Sequence, residues 1–154
     1  MIVLLLALLI GVVAGLRAFT APAAVSWAAY LGWLPLAGTP LAFMGSVWSV
    51  GVLSVLAIVE YVTDQLRSTP SRTVPMQFGA RIVFGALSGV AIGAPGGWLI
   101  AGGIAGILGA VIGTYGGHPA RAKLAAAFRG DAPAAFFEDA VAILAAIGIV
   151  MVFR

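Results

Sequence analysis

Five carboxylates stand in a chain that is otherwise largely apolar, and they are the first residues to consider for chemistry. Glu60 and Asp64 are four residues apart, so they share one face of a helix. Glu138 and Asp139 are adjacent and point about 100° apart on a helix, so at least one of them faces the interior of a helical bundle. Such pairs hold a proton or a cation in some membrane proteins and form plain salt bridges in others.

Arg17 follows an unbroken apolar run, in G-L-R-A-F-T-A-P. If it lies at a helix end, its side chain can extend to the membrane surface. If it is buried it needs a partner, because an unpaired charge at the bilayer centre costs at least about 2.5–3.5 kcal/mol. We predict burial, with a carboxylate partner from a different helix: Glu60, or one of the pair Glu138 and Asp139.

Glu60 and Asp64 also need partners, because they are predicted near a helix C-terminus, where the macrodipole disfavours negative charge. Arg67, Arg72 and Arg81 are the candidates. Two interpretations stay open. In one, the charges form an interfacial salt-bridge cluster that fixes the loop; in the other, the carboxylates bind a proton or a cation.

Other kinds of chemistry have little support in the sequence. The chain has no cysteine, and its one histidine, His118, is a weak signal for a metal ligand. No nucleophile motif, metalloprotease motif or nucleotide-binding fingerprint is present. The net charge of +3 is small and scattered, which is unlike a nucleic-acid-binding surface. We predict no metal, no cofactor and no nucleic-acid partner.

The elements that must position these charges are membrane helices. The chain is 62% hydrophobic and 8% charged, far from the roughly 25% charged of soluble domains. Its apolar runs are apolar on every face, unlike the alternating strands of a membrane barrel. The sequence therefore predicts an all-α polytopic membrane protein, a single transmembrane domain over residues 1–154, with membrane lipids as its surroundings.

Five full transmembrane helices and two short ones are predicted. The first long helix is expected to run from residue 2 to a break at Thr20-Ala21-Pro22, and the others are expected at 41–63, 78–92, 98–115 and 134–153. Breaks at Pro22 and Pro119 should begin short helices, at 23–34 and 119–129, because proline removes a backbone donor. At about 18 Å, a helix of this length spans poorly, so both are read as re-entrant helices, with crossing as the alternative.

The order of these elements suggests a duplication. Residues 1–64 and 95–154 each contain a glycine-rich helix, a proline break and a closing helix, joined by 65–94. An odd number of crossings between the halves would make this an inverted repeat, as in many transporters. Chance similarity in a Gly- and Ala-rich sequence is the alternative.

Basic residues predict the orientation. Loop 65–77 carries Arg67 and Arg72, and loop 117–132 carries Arg121, Lys123 and Arg129. Both loops are therefore predicted to be cytoplasmic by the positive-inside rule. Five crossings then place the N-terminus inside and the C-terminus outside. Six crossings, with 23–34 spanning, place both termini outside, and the charge rule does not separate the two.

Small residues recur every four positions in two helices. They favour close helix packing, either within one chain or across a homodimer. The series are Gly85, Gly89 and Gly93; Gly102 and Gly106; and Gly109, Gly113 and Gly117.

Several motifs together resemble a known family. They are G-L-R-A-F-T-A-P-A-A-V-S-W-A-A-Y-L-G-W, E-Y-V-T-D-Q-L, T-P-S-R-T, G-A-R-I-V-F-G and E-D-A-V-A-I. The combination resembles a bacterial inner-membrane family classed as domain of unknown function 4126, and it covers nearly the whole chain. The resemblance implies a polytopic inner-membrane protein without an assigned activity. Its motifs include Arg17, Glu60, Asp64, Arg72, Arg81, Glu138 and Asp139.

The leading functional hypothesis is a small transporter or channel-like protein for an ion, a small solute or a lipid head group. Arg17 would bind an anionic group or neutralise a carboxylate, Glu60 and Asp64 would take a proton or cation, and Arg72 and Arg81 would gate or position them. The alternative is a membrane scaffold or assembly partner whose charges serve only topology and packing. An enzyme is a third, less supported reading.

Overall fold

The computed structural model describes residues 1–65 and 73–154, and this part of the chain is helical and contains no β-strand. Two short 3₁₀ turns, Ala42–Gly45 and Ala94–Gly96, connect helices. The predicted all-α class is confirmed for the described residues. The six helices are α1 (Ile2–Leu16), α2 (Thr20–Tyr30), α3 (Val47–Thr63), α4 (Pro75–Gly93), α5 (Leu99–Ala127) and α6 (Asp131–Met151).

Three stretches of the described chain are long and apolar enough to cross a membrane: Pro75–Gly96, Leu99–Ala127 and Asp131–Met151. Helices α1 and α3 are apolar but have only 15 and 17 residues. At 1.5 Å per residue they reach about 22 and 26 Å, short of a hydrocarbon core of about 30 Å. The membrane-embedded class is supported, whereas five full-length spans are not.

Helix α5 lies at the centre of the bundle, between α1 and α4. Its Gly106 packs against backbone on both sides, and a Cβ there would overlap the carbonyl oxygen of Gly85 in α4. A Cβ on Gly11 of α1 would in turn overlap the carbonyl of Gly106. Gly109 lies equally close to Leu8 of α1. The predicted small-residue series thus packs helices within one chain, and a homodimer through these faces stays a prediction.

The order of these contacts gives the helix directions. Gly11 lies beside Gly106 and Gly15 beside Gly113, so α1 and α5 run parallel. Helix α4 is antiparallel to both, because Gly85 lies beside Gly106 and Gly89 beside Gly102.

Helices α1 and α2 form a hairpin. The hydroxyl groups of Thr20 and Tyr61 share a hydrogen bond, and the indole N–H of Trp27 donates one to Ser54. Helix α2 therefore runs antiparallel to α3, back towards the end where α1 begins. The C-terminal Arg154 lies over the ring of Trp33, just beyond α2, at 5.8 Å. Both chain termini therefore lie at one end of the bundle.

The break between α1 and α2 comes earlier than predicted. Leu16 ends α1, Arg17 is extended, and α2 begins at Thr20. Pro22 lies in the first turn of α2, where a backbone N–H has no intrahelical partner and its loss costs little. The predicted short helix at 23–34 is therefore shifted to Thr20–Tyr30.

The predicted break at Pro119 is wrong. Helix α5 runs through Pro119 without interruption to Ala127, so the predicted short helix 119–129 belongs to the long one. Proline removes a single helical hydrogen bond, and packing within a membrane bundle can compensate for it. The break that motivated the repeat of 1–64 and 95–154 occurs in the first half only, and no described feature of the second half repeats it.

Candidate functional site

The turn of the α1–α2 hairpin, residues Arg17, Ala18 and Phe19, is the hairpin tip. It leaves backbone groups without helical partners, as any helix end does. Glu60 of α3 accepts hydrogen bonds from the N–H of Ala18 at 2.7 Å and of Phe19 at 2.9 Å. A carboxylate thus supplies the acceptors that a continuous helix would have offered.

The carbonyl end of α1 is also bound by side chains. The carbonyl oxygen of Gly15 accepts a hydrogen bond from Arg81 of α4 at 2.8 Å and one from Thr114 of α5 at 3.3 Å. Arg81 and Glu60 are ion-paired at 3.6 Å. Glu60 therefore binds the N–H groups of the hairpin tip, and Arg81 binds the carbonyl end of α1. The two side chains also pair with each other.

Arg17 itself is fully buried and surrounded by carboxylates. Its Nε donates to Asp139 of α6 and its Nη1 donates to Asp64 at the end of α3. Its Nη2 lies 3.8 Å from Glu138. The guanidinium has 0% exposure, and a charge in such a position is tolerated only when it is paired.

Arg121 of α5 extends this arrangement. It lies 3.5 Å from Glu138 and 3.9 Å from Asp64, and it donates to the exposed Asp131 at 2.9 Å. We call Arg17, Asp64, Arg121, Glu138 and Asp139 the ion cluster. Sequence reasoning missed Arg121, because α5 was expected to end at 115 and the residue was assigned to a basic loop. Helix α5 continues through Pro119 and includes Arg121, and the packing of α5 on α6 brings this residue to Glu138.

The predicted site residues divide into two groups. Glu60 and Arg81 serve the backbone of the hairpin tip, whereas Asp64, Glu138 and Asp139 surround Arg17. Of the predicted partners of Arg17, Asp139 pairs with it directly, and Glu60 binds the peptide groups next to it instead. Arg67 and Arg72 lie outside the described residues. His118 is exposed, and the described residues contain no group of three or more metal-ligating side chains.

The polar contacts reach one end of the bundle. Side-chain exposure rises from 0% at Arg17 through 15% at Arg121 to 68% at Asp131. Towards the opposite end, Ile10 and Val25 of the hairpin lie in an apolar core together with Leu34, Met44, Ile92 and Ile149. Charge is therefore continuous from the hairpin tip to one surface, whereas the described core beyond the tip contains no buried charged side chain.

Two surface depressions on the described residues are apolar and distant from these charges. One lies on α3 between Val47 and Leu56, and the other on α5 between Gly97 and Ile104. Neither includes a residue of the ion cluster.

Comparison of the chain with protein families, curated proteins and solved structures finds no match. The resemblance to the uncharacterised inner-membrane family therefore stays a prediction.

Proposed function

We propose that the chain is a small integral membrane transport protein, transporter or channel-like, that handles an ion or small polar solute at the ion cluster. The observation that carries this proposal is the fully buried Arg17, which contacts carboxylates from two other elements of the bundle. Ionisable groups inside membrane proteins are costly, and they commonly mark a path for ions or protons.

The depth of the hairpin tip supports the proposal. Asp139 lies about 12 Å from the start of α6, and Arg81 lies about 9 Å from the start of α4, at 1.5 Å per residue. A hairpin that enters from the end with both termini and turns at this depth is a re-entrant hairpin. Irregular backbone at such depth is tolerated where protein or a water-filled cavity covers it.

Orientation and location follow as proposals. The residues 65–77 and 117–132 would face the cytoplasm of a bacterial inner membrane, because they carry most of the basic residues. The ion cluster would then connect to the cytoplasmic surface through Arg121 and Asp131. The apolar half of the hairpin would close the opposite side, and transport would require this half to open.

Vesicle flux tests the proposal. Purified protein in lipid vesicles should move protons, Na⁺ or K⁺ under an imposed gradient, read with entrapped pH- or cation-sensitive dyes. Arg17→Lys keeps the charge but loses the planar fork that contacts several carboxylates, so it should reduce the flux. Lys123→Gln, at an exposed residue of α5, is the matched control and should retain it.

A membrane scaffold is the second candidate, and it has its own observation. Glu60 and Arg81 are accounted for by the backbone groups they bind. Vesicles in which folded wild-type protein moves none of the ions, under any gradient, would favour this candidate over transport.

A further inference from the structure

Of the carboxylates in the ion cluster, Asp139 has the fewest cationic contacts with the described residues. Among the described residues, its one cationic contact is Arg17. Arg17 also contacts Asp64 and Glu138, and these two additionally face Arg121. Asp139 therefore shares a single guanidinium with two competing carboxylates.

Two polar atoms on the side chains that contact Asp139 have no hydrogen-bond partner among the described residues. The Nη2 of Arg17 is a buried donor, and the Oε1 of Gln65 is a buried acceptor. The other end of the Gln65 amide donates to Asp139 at 3.4 Å. Buried polar atoms are rarely left unsatisfied, and water, which both donates and accepts, satisfies atoms of both kinds.

The surroundings of Asp139 disfavour full ionisation of the cluster. Like charges close together in a region of low dielectric make it costly to ionise every carboxylate at once. The titratable groups of the described residues around Asp139 are Arg17 at the tip, Glu60, Tyr61 and Asp64 on and after α3, Arg81 on α4, Arg121 on α5 and Glu138 on α6.

We propose that Asp139 takes up and releases a proton through bound water, and that its protonation releases Arg17 from Asp139, leaving Glu138 as the carboxylate of α6 that Arg17 still contacts. The proton moves between water and a carboxylate oxygen of Asp139, while Arg17 stays cationic and keeps its contact with Asp64. This inference rests on the proposed transport function, because it names the proton as the ion that the site exchanges. It also supplies a movable contact between α6 and the α1–α2 hairpin.

Infrared difference spectroscopy of the purified full chain, recorded while the pH is changed, tests the proposal. A protonated carboxyl gives a C=O stretching band that the carboxylate lacks. Labelling aspartate with ¹³C at its side-chain carboxyl should shift this band, which separates Asp64, Asp131 and Asp139 from the two glutamates. Asp139→Asn should remove the band, and the matched control Asp131→Asn should keep it.

A second variant keeps the test decisive if Asp139→Asn does not fold. Gln65→Leu removes the amide donor that favours the ionised form of Asp139, so the midpoint of the band should move to higher pH. The proposal is overturned if the wild-type band is absent, is insensitive to the aspartate label, or is unchanged in Gln65→Leu.

Flux measurements separate this inference from the proposed function. If vesicles show ion movement but the protein shows no titrating aspartate band, the transport proposal is retained and the proposal of proton exchange at Asp139 is rejected. If Asp139 titrates but the protein moves no ion, the proton site is retained and the transport proposal is rejected.

Discussion

Arg17 is the residue on which the hairpin tip and the ion cluster both depend. Replacing it by alanine would leave the buried Asp139 without its guanidinium and would remove one of the cationic contacts of the half-buried Asp64. Because a stranded buried charge is costly, we expect Arg17→Ala to lower the free energy of unfolding by about 3–5 kcal/mol. Thermal unfolding in detergent measures the loss.

The double variant Arg17→Ala/Asp139→Asn is the internal check. Neutralising the former partner should recover part of the stability, since residues in direct contact are not additive. The exposed Lys123→Ala should change stability little. Equal losses in the single and the double variant would contradict the pairing of Arg17 with Asp139.

At the scale of elements, the packing of α1 on α5 depends on backbone contact. A Cβ on Gly109 would overlap the carbonyl oxygen of Leu8, whereas a Cβ on Gly116, in the same helix, would meet open space. We expect Gly109→Ala to cost about 1–3 kcal/mol through overpacking. Gly116→Ala should be neutral or slightly stabilising, because alanine is the better helix former.

The same thermal assay in detergent compares the two variants. Equal stability of Gly109→Ala and the wild type would show that α1 and α5 are not in the contact described. A loss in Gly116→Ala as large as in Gly109→Ala would point to a partner on the outer face of α5, such as a second copy of the chain.

At the scale of the whole molecule, the hairpin places both termini at one end of the bundle. The chain has no cysteine, so single cysteines report the topology directly. We expect Ile2→Cys, Ala37→Cys and Arg154→Cys to react with a membrane-impermeant maleimide from one side of the membrane. Lys123→Cys should react from the opposite side.

The position near the N-terminus is the decisive one. With five crossings, Ile2→Cys would be labelled from the side opposite to Arg154→Cys. With the α1–α2 hairpin, both are labelled from the same side. Intact cells and inverted membrane vesicles provide the two directions of access.

The sequence by itself determined the class of the protein, because composition and uninterrupted apolar runs leave few alternatives to membrane helices. It also identified the charges that need partners, since the cost of burying a charge depends on the residue type. The need of Arg17 for a carboxylate from another helix could be predicted in this way. The close packing of the glycine series within the chain was one of two readings that the spacing allowed.

Tertiary structure alone decided which charges meet and which proline interrupts a helix. Pro22 and Pro119 look equivalent in sequence, yet α5 continues through Pro119 because a long packed helix tolerates the loss of one hydrogen bond. The helix is interrupted at Arg17. There Glu60 of α3 accepts hydrogen bonds from backbone N–H groups, and Arg81 of α4 donates one to a backbone carbonyl. Those partners are distant in sequence, and helix spacing carries no information on contacts between helices. The same is true of Arg121, which becomes part of the ion cluster only when α5 and α6 pack together.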